Sequence, residues 1–149
     1  MTEISFYHLQ RRSLEETLPR LLERVLASNQ RAVVLAESDE RVEALNSYLW
    51  TYSSDSFLPH GSARDGFSAD QPIFLTSNEE NPNGATILVL ADEILPSYVG
   101  AFARCLDLFN GNDPAAVQNA RDRWRLYKSQ GHAVTYWRQD DAGRWEKAG

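Results

Sequence analysis

The uninterrupted apolar run AVVLA at residues 32–36 constrains the fold more than any other feature of the chain. A run without polar alternation is typical of a strand that helices cover on both faces, as in parallel sheets. Ser38 and Asp39 follow it and favour the start of a helix. The apolar residues of that helix predict its inner side: Val42, Leu45, Leu49 and Trp50.

Other segments repeat this alternation of strand and helix. EISFYHL at residues 3–9 predicts a first strand. Three further runs have strand character: PIFLT (72–76), ATILVLA (85–91) and CLDLF (105–109). The stretch between residues 53 and 70 is rich in Ser, Gly, Asp and Pro and predicts a loop. We therefore expect an α/β fold of three layers, with a mixed, largely parallel sheet flanked by helices.

A helix is predicted directly after the first strand. Apolar residues recur at spacings of three and four between positions 14 and 26. Ser13 and Glu16 have the spacing of a capping box. Pro19 would strain a helix that begins so early, so the helix either kinks or begins at Thr17.

The last helix and the end of the chain carry clear boundary signals. Pro114, preceded by Asn and Asp, is well suited to the first position of a helix, and Gly131 is a plausible stop. Residues 133–137 and 143–147 then predict a terminal hairpin.

Size, charge and composition limit the class of protein. With 149 residues, of which 42% are hydrophobic, we expect one domain over residues 1–149. The net charge of −6 argues against general affinity for nucleic acid, although residues 110–149 carry 7 basic and 5 acidic side chains. No apolar run reaches the length of a transmembrane helix and no signal-peptide pattern is present, so we expect a cytoplasmic protein without membrane contact. The single cysteine and three scattered histidines predict no disulfide, no metal site and no cofactor.

The nucleotide chemistry of a dinucleotide-binding fold is missing from the sequence. The turn after the first strand is QRRS, which has no glycine, and no phosphate loop occurs. The expectation is a Rossmann-like fold without a nucleotide site.

Carboxylates do gather near predicted strand ends: Glu37, Asp39, Glu40, Asp92 and Glu93. Brought together, they could hold Mg²⁺ for phosphoester hydrolysis; alternatively they cap helices and are solvated.

The predicted last helix carries the most informative pattern. At about 100° per residue, Arg121, Arg125 and Lys128 form a cationic stripe, and Trp124 lies beside it. A solvated helix face is the alternative interpretation. Cations beside an exposed indole suit a short peptide that carries carboxylates and an aromatic anchor.

These motifs resemble the χ (chi) subunit family of bacterial DNA polymerase III holoenzyme. The resemblance is carried, in order, by FYHL, RAVVLAESDERVEALNSYLW, DSFLPHG, QPIFLT, CLDLF and RDRWRLYKSQGH. It implies a non-catalytic accessory protein of the clamp loader. Such proteins bind the acidic, phenylalanine-terminated tail of single-stranded-DNA-binding protein, and many bind the ψ (psi) subunit.

The resemblance also implies sites for both partners. Carried over by motif, the tail site consists of Arg121, Trp124, Arg125 and Lys128. The ψ-facing surface carries over to Phe57, Pro59 and His60, with an ordinary core anchor as the alternative role of Phe57.

Three functions remain open at this point. The preferred one is a binding adaptor with no catalytic residues and no tight DNA binding of its own. The second is a Mg²⁺-dependent phosphoesterase that uses the strand-end carboxylates. The third, a direct DNA-binding domain, is weakened by the overall charge.

Overall fold

The strands of the chain form one sheet. The structure, a computed structural model, describes residues 2–10, 12–52, 59–140 and 144–148. Within these ranges the strands are β1 (Glu3–Leu9), β2 (Ala32–Leu35), β3 (Gly61–Ser62), β4 (Ile73–Thr76), β5 (Ile87–Leu90), β6 (Arg104–Asn110), β7 (Ala133–Gln139) and β8 (Trp145–Lys147). Their order is β3-β4-β2-β5-β6-β1-β7-β8, and each neighbouring pair is parallel except β7 with β8. The expected largely parallel sheet is confirmed.

Helices cover both faces of this sheet. Among the described residues they are α1 (Leu14–Ala27), α2 (Asp39–Thr51) and α3 (Pro114–Ser129). The apolar sides of α1 and α2 share one core cluster with alternate residues of β2, β4, β5 and β6. Ala120 and Tyr127 of α3 pack in a second cluster, on the opposite face. The result is the expected three-layer α/β arrangement, and no helix in the described ranges is long and apolar enough to cross a membrane.

The predicted start of α1 at Thr17 is wrong, because the capping box outweighs the strain expected from Pro19. The helix begins at Leu14. Ser13 Oγ accepts the N–H of Glu16 at 3.2 Å, and the Glu16 carboxylate accepts the N–H of Ser13 at 3.2 Å. Pro19 lies inside the helix and is buried, so its missing N–H removes a single intrahelical hydrogen bond.

The predicted loop at residues 53–70 contains a short edge strand. Gly61 and Ser62 form β3 and pair in register with Phe74 and Leu75 of β4. A two-residue strand has no period that a sequence pattern can reveal. Residues 53–58 lie outside the described part of the chain.

The remaining boundaries follow the sequence closely. Ser38 caps α2, and Asp113 caps α3 with Pro114 in its first turn. Gly131 has a φ of +88° just beyond the end of α3, a conformation that favours glycine. The terminal hairpin is present as the antiparallel pair of β7 and β8.

Candidate functional site

A buried ion pair orients α3 on the sheet. Arg123 donates two hydrogen bonds to the Asp107 carboxylate, at 2.7 and 2.9 Å, with side chains 5% and 0% exposed. Its guanidinium carbon lies 6.0 Å from the centre of the Phe6 ring. Complete burial raises the pKa of the Asp107 carboxyl, and the hydrogen bonds from Arg123 oppose that rise. Because positions two residues apart on a helix are rotated by about 200°, Arg121 and Arg125 face away from the sheet.

The predicted cationic stripe lies on the surface of α3. Arg121, Arg125 and Lys128 are all exposed. A terminal nitrogen of Arg125 lies 3.6 Å from the Asp122 carboxylate, with side chains 72% and 60% exposed. Solvent screens such a pair, so it contributes little to stability and leaves Arg125 able to bind another anion.

Trp124 differs from the exposed indole that the sequence suggested. It is half-buried. Its ring centre lies 5.8 Å from that of Phe6 and 6.0 Å from that of Tyr136. The indole therefore belongs to an aromatic cluster beside the cations.

Two residues of β7 join this face and were absent from the sequence hypothesis. In the parallel register Tyr136 pairs with Phe6 and Arg138 pairs with His8, so both point toward α3. Tyr136 is half-buried and Arg138 is exposed. The alternation of β7 indicated that they share a face, but only the register with β1 shows which face it is.

A buried histidine lies beneath the same aromatic cluster. His8 Nδ1 forms a hydrogen bond with the Tyr136 hydroxyl. Burial lowers the pKa of His8, and the positive charges of Arg138 and Arg121 lower it further. The ring also lies so close to Gly111 that a Cβ there would approach it to 1.9 Å, which requires glycine at that position. A neutral imidazole therefore supports the cationic face.

We name this surface the α3 face. It consists of Arg121, Trp124, Arg125, Lys128, Tyr136 and Arg138. Exposed cations lie around two half-buried aromatic rings, which is an arrangement suited to binding an anion with an aromatic group.

Of the three residues expected to face ψ, the structure describes Pro59 and His60. Phe57 lies outside the described residues; Pro59 is half-buried and His60 is 3% exposed. The His60 Nε2 atom lies 3.1 Å from the Asn46 carbonyl oxygen, and its ring centre lies 4.3 Å from that of Trp50.

Trp50 is 49% exposed, so its expected position on the inner side of α2 is wrong. It lies about 80° from Val42 around the helix axis, too far to share the buried stripe.

Two of the strand-end carboxylates, Asp39 and Asp92, are held by other groups of the protein. Arg41 donates to Asp92 at 3.0 Å and to Glu15 at 3.0 Å, and Asp92 also accepts the N–H of Glu37 at 3.1 Å. Asp39 accepts a hydrogen bond from the Ser77 hydroxyl. In the part of the chain that the structure describes, no three His, Cys, Asp or Glu side chains are placed to share a metal ion.

Cys105 lies in β6 and is a core residue. It is 0% exposed, and burial raises the pKa of its thiol well above the ordinary value. A thiol that stays protonated at neutral pH is a poor nucleophile.

The fold and the site together define a Rossmann-like α/β protein with a cationic, aromatic face on its last helix and no glycine-rich phosphate turn. The model of the family described as "DNA polymerase III chi subunit, HolC" matches residues 1–135. The chain therefore belongs to the DNA polymerase III chi subunit family, a family of accessory subunits in bacterial DNA replication.

Individual relatives agree with this membership. The chain is 29% identical to the "Probable DNA polymerase III subunit chi" of Rickettsia prowazekii, over 99% of this chain and 92% of that protein. It is 27% identical to the DNA polymerase III subunit chi of Pseudomonas aeruginosa, over 90% of this chain and 94% of the relative. The subunit chi of Escherichia coli is 24% identical, over 70% of this chain and 71% of its own length.

Proposed function

We propose that the α3 face binds the acidic, phenylalanine-terminated C-terminal tail of single-stranded-DNA-binding protein. Through this contact the chain would tether DNA polymerase III to coated single strands. One observation carries the proposal: exposed Arg121, Arg125 and Lys128 lie next to the half-buried rings of Trp124 and Tyr136.

The charges of the α3 face suit the carboxylates of such a tail. Arg121 and Arg125 present planar guanidinium groups, which bind carboxylates with two parallel hydrogen bonds. Arg138 adds a further exposed cation from the neighbouring strand. Because the whole chain carries a net charge of −6, this attraction is local to the face.

The aromatic cluster suits the terminal phenylalanine. Trp124 and Tyr136 pack edge to face, with an interplanar angle of 68°, and both are half-buried, so each keeps part of its ring exposed. An aromatic anchor that packs on such exposed ring surface supplies much of the binding energy of many small interfaces. The mechanism is attraction between opposite charges together with burial of the aromatic anchor, without a covalent step.

Calorimetry with a synthetic tail peptide tests this proposal. We expect the full peptide to bind and a peptide without its terminal phenylalanine to bind at least about tenfold more weakly. Arg64→Gln is a control that should bind the full peptide as the parent chain does. Arg64 is 80% exposed and belongs to a different surface, where it lies 3.8 Å from Glu43. Equal affinity for the two peptides would overturn the proposal.

We further propose that the surface around Phe57, Pro59 and His60 contacts the ψ subunit of the clamp loader. The choice of ψ as the partner rests on the family resemblance. The exposed Trp50 ring, packed against His60, supports an interface there because an exposed indole is a frequent anchor of protein contacts. Co-purification with ψ should be lost in Trp50→Ala and retained in Arg125→Ala; the reverse pattern would overturn this assignment.

A further inference from the structure

A second groove lies on the opposite side of the sheet from α3, between α1 and the β7–β8 hairpin. Its volume is about 510 Å³. Basic and aromatic side chains dominate its lining: Arg12, Arg20, Arg24, Arg144, Trp137 and Trp145. We call it the hairpin groove.

The two indoles of the hairpin groove share one face of the hairpin. Trp137 pairs with Tyr7 in the parallel register of β1 and β7, and Trp145 pairs with Gln139, two residues further along β7. Trp145 packs edge-on against Tyr7 with ring centres 5.0 Å apart. Both indoles are half-buried, so each keeps part of its ring open to the groove.

The arginines of α1 in this groove carry charge that no carboxylate among the described residues neutralises in an ion pair. Arg20 and Arg24 are exposed and one helical turn apart. Glu16 accepts hydrogen bonds from Ser13, and Glu23 accepts one from Tyr52. Within the described residues, no carboxylate lies within ion-pair distance of Arg20 or Arg24.

A buried hydroxyl in the groove also lacks a partner. Thr17 is 4% exposed, lines the groove, and has no hydrogen-bond partner for Oγ1 among the described residues. Buried polar groups in folded proteins are almost always satisfied, so this hydroxyl indicates a polar ligand. Arg144 is already paired with Asp140 at 3.2 Å, but it is 82% exposed and can turn toward an anion.

We propose that the hairpin groove binds single-stranded DNA. Each nucleotide brings one phosphate and one flat base, and the groove holds the receptors for both, guanidinium groups and indole faces. A duplex would not suit it, because its bases are stacked on one another and offer no free faces to Trp137 and Trp145. An acidic peptide with a single terminal aromatic ring would satisfy the arginines but would bring at most one flat partner for the two indoles.

The groove and the α3 face share strand β7. Tyr136 and Arg138 point to the α3 side, whereas Trp137 and Gln139 point to the groove side. The net charge of −6 keeps the intrinsic affinity of the groove weak, with a Kd on the order of 10⁻⁴ M. A chain held at a coated strand by another contact would experience a high local DNA concentration, which makes such a weak site effective.

The experiment measures fluorescence anisotropy of a short labelled oligothymidylate over a range of salt, with the full chain at up to millimolar concentration. The double variant Arg20→Gln/Arg24→Gln should bind about tenfold more weakly at low salt, and the slope of log K against log salt should fall by about 1.4. Trp145→Leu should weaken binding without changing that slope. The matched control is Arg121→Gln/Arg125→Gln, which removes the same charge from the α3 face.

The tail peptide is titrated against the same variants, so the two sites are tested separately. We expect the groove variants to keep full peptide affinity and the control double variant to keep oligothymidylate affinity. No binding of oligothymidylate to the parent chain would overturn the groove proposal, as would equal losses in both double variants. If polyglutamate displaces the labelled oligothymidylate as well as unlabelled oligothymidylate does, the groove binds acidic peptides instead. Loss of peptide binding alone would bear only on the α3 face.

Discussion

Arg123 of α3 donates two hydrogen bonds to Asp107 at the centre of β6, and both side chains are removed from solvent. The pair joins the helix that carries the α3 face to the strand beneath it. Because Arg123 faces inward, its neighbours Arg121 and Arg125 face outward. The same ion pair thus sets the direction of these two exposed cations.

Replacing Asp107 with alanine should lower the free energy of unfolding by about 3–5 kcal/mol, because the charge of Arg123 would then be buried without a partner. Urea unfolding measures this loss. Arg125→Ala is the control: it removes only the exposed pair with Asp122 and should change stability by less than about 1 kcal/mol. Similar losses in the two variants would contradict a structural role for the buried pair.

Alanine at Arg121 or Arg125 should weaken tail-peptide binding by about 1–3 kcal/mol, the range for hydrogen bonds to charged groups. It should also flatten the salt dependence, because part of the attraction between charges is lost. Calorimetry at several salt concentrations measures both effects. If both variants bind like the parent chain, the stripe is only a solvated helix face.

Trp124→Ala should cost a similar amount of binding energy but leave the salt dependence intact, because the lost contribution is apolar burial. The half-buried ring also packs against Phe6 and Tyr136, so we expect some loss of thermal stability as well. Binding is therefore measured well below the unfolding temperature. A changed salt slope would mean that the indole acts through the charges instead.

Phe57→Ala should leave the affinity for the tail peptide nearly unchanged, because it belongs to a different segment and separated substitutions are usually additive. Co-purification with ψ should be reduced. Calorimetry and a pull-down test the two halves of this prediction. Equal loss of tail binding would mean that the two sites overlap, and lost thermal stability with both partners retained would make Phe57 a core anchor.

The chain should bind naked single-stranded DNA poorly but associate with DNA already coated by its binding protein. Its positive charge is confined to small regions of an acidic protein, so few phosphates can be neutralised at once. Filter binding at low salt compares the two substrates. A Kd below about 1 μM for the naked oligonucleotide would contradict the adaptor function and exceed what the hairpin groove can supply.

The stability of the chain should fall as His8 becomes protonated. Burial, Arg138 and Arg121 lower its pKa in the folded state from the ordinary value of 6.5. The unfolded chain therefore binds the proton more readily. The stabilising contribution of neutral His8 is fully present above the ordinary pKa, and it is lost as the pH falls through the lowered pKa of the folded state. The free energy of unfolding should differ less between pH 7.5 and pH 5.5 in His8→Gln than in the parent chain. An unchanged difference would mean that His8 does not contribute to this loss.

Local patterns were sufficient to determine most elements of this fold. The apolar run at residues 32–36 predicted a central strand, and the Asp-Pro sequence before α3 predicted its start. The helical period also grouped Arg121, Arg125 and Lys128 on one exposed side. These features depend on residues within a few positions of one another, where propensity, capping and periodicity operate.

Only the tertiary structure decided which of these elements meet. The partner of Arg123 is a strand residue 16 positions away, and the faces of β7 follow from its register with β1, about 130 residues earlier in the chain. The hairpin groove likewise joins arginines of α1 to indoles near the end of the chain. Such contacts depend on strand order and register, which are set by the packing of the whole core and leave no local period in the sequence.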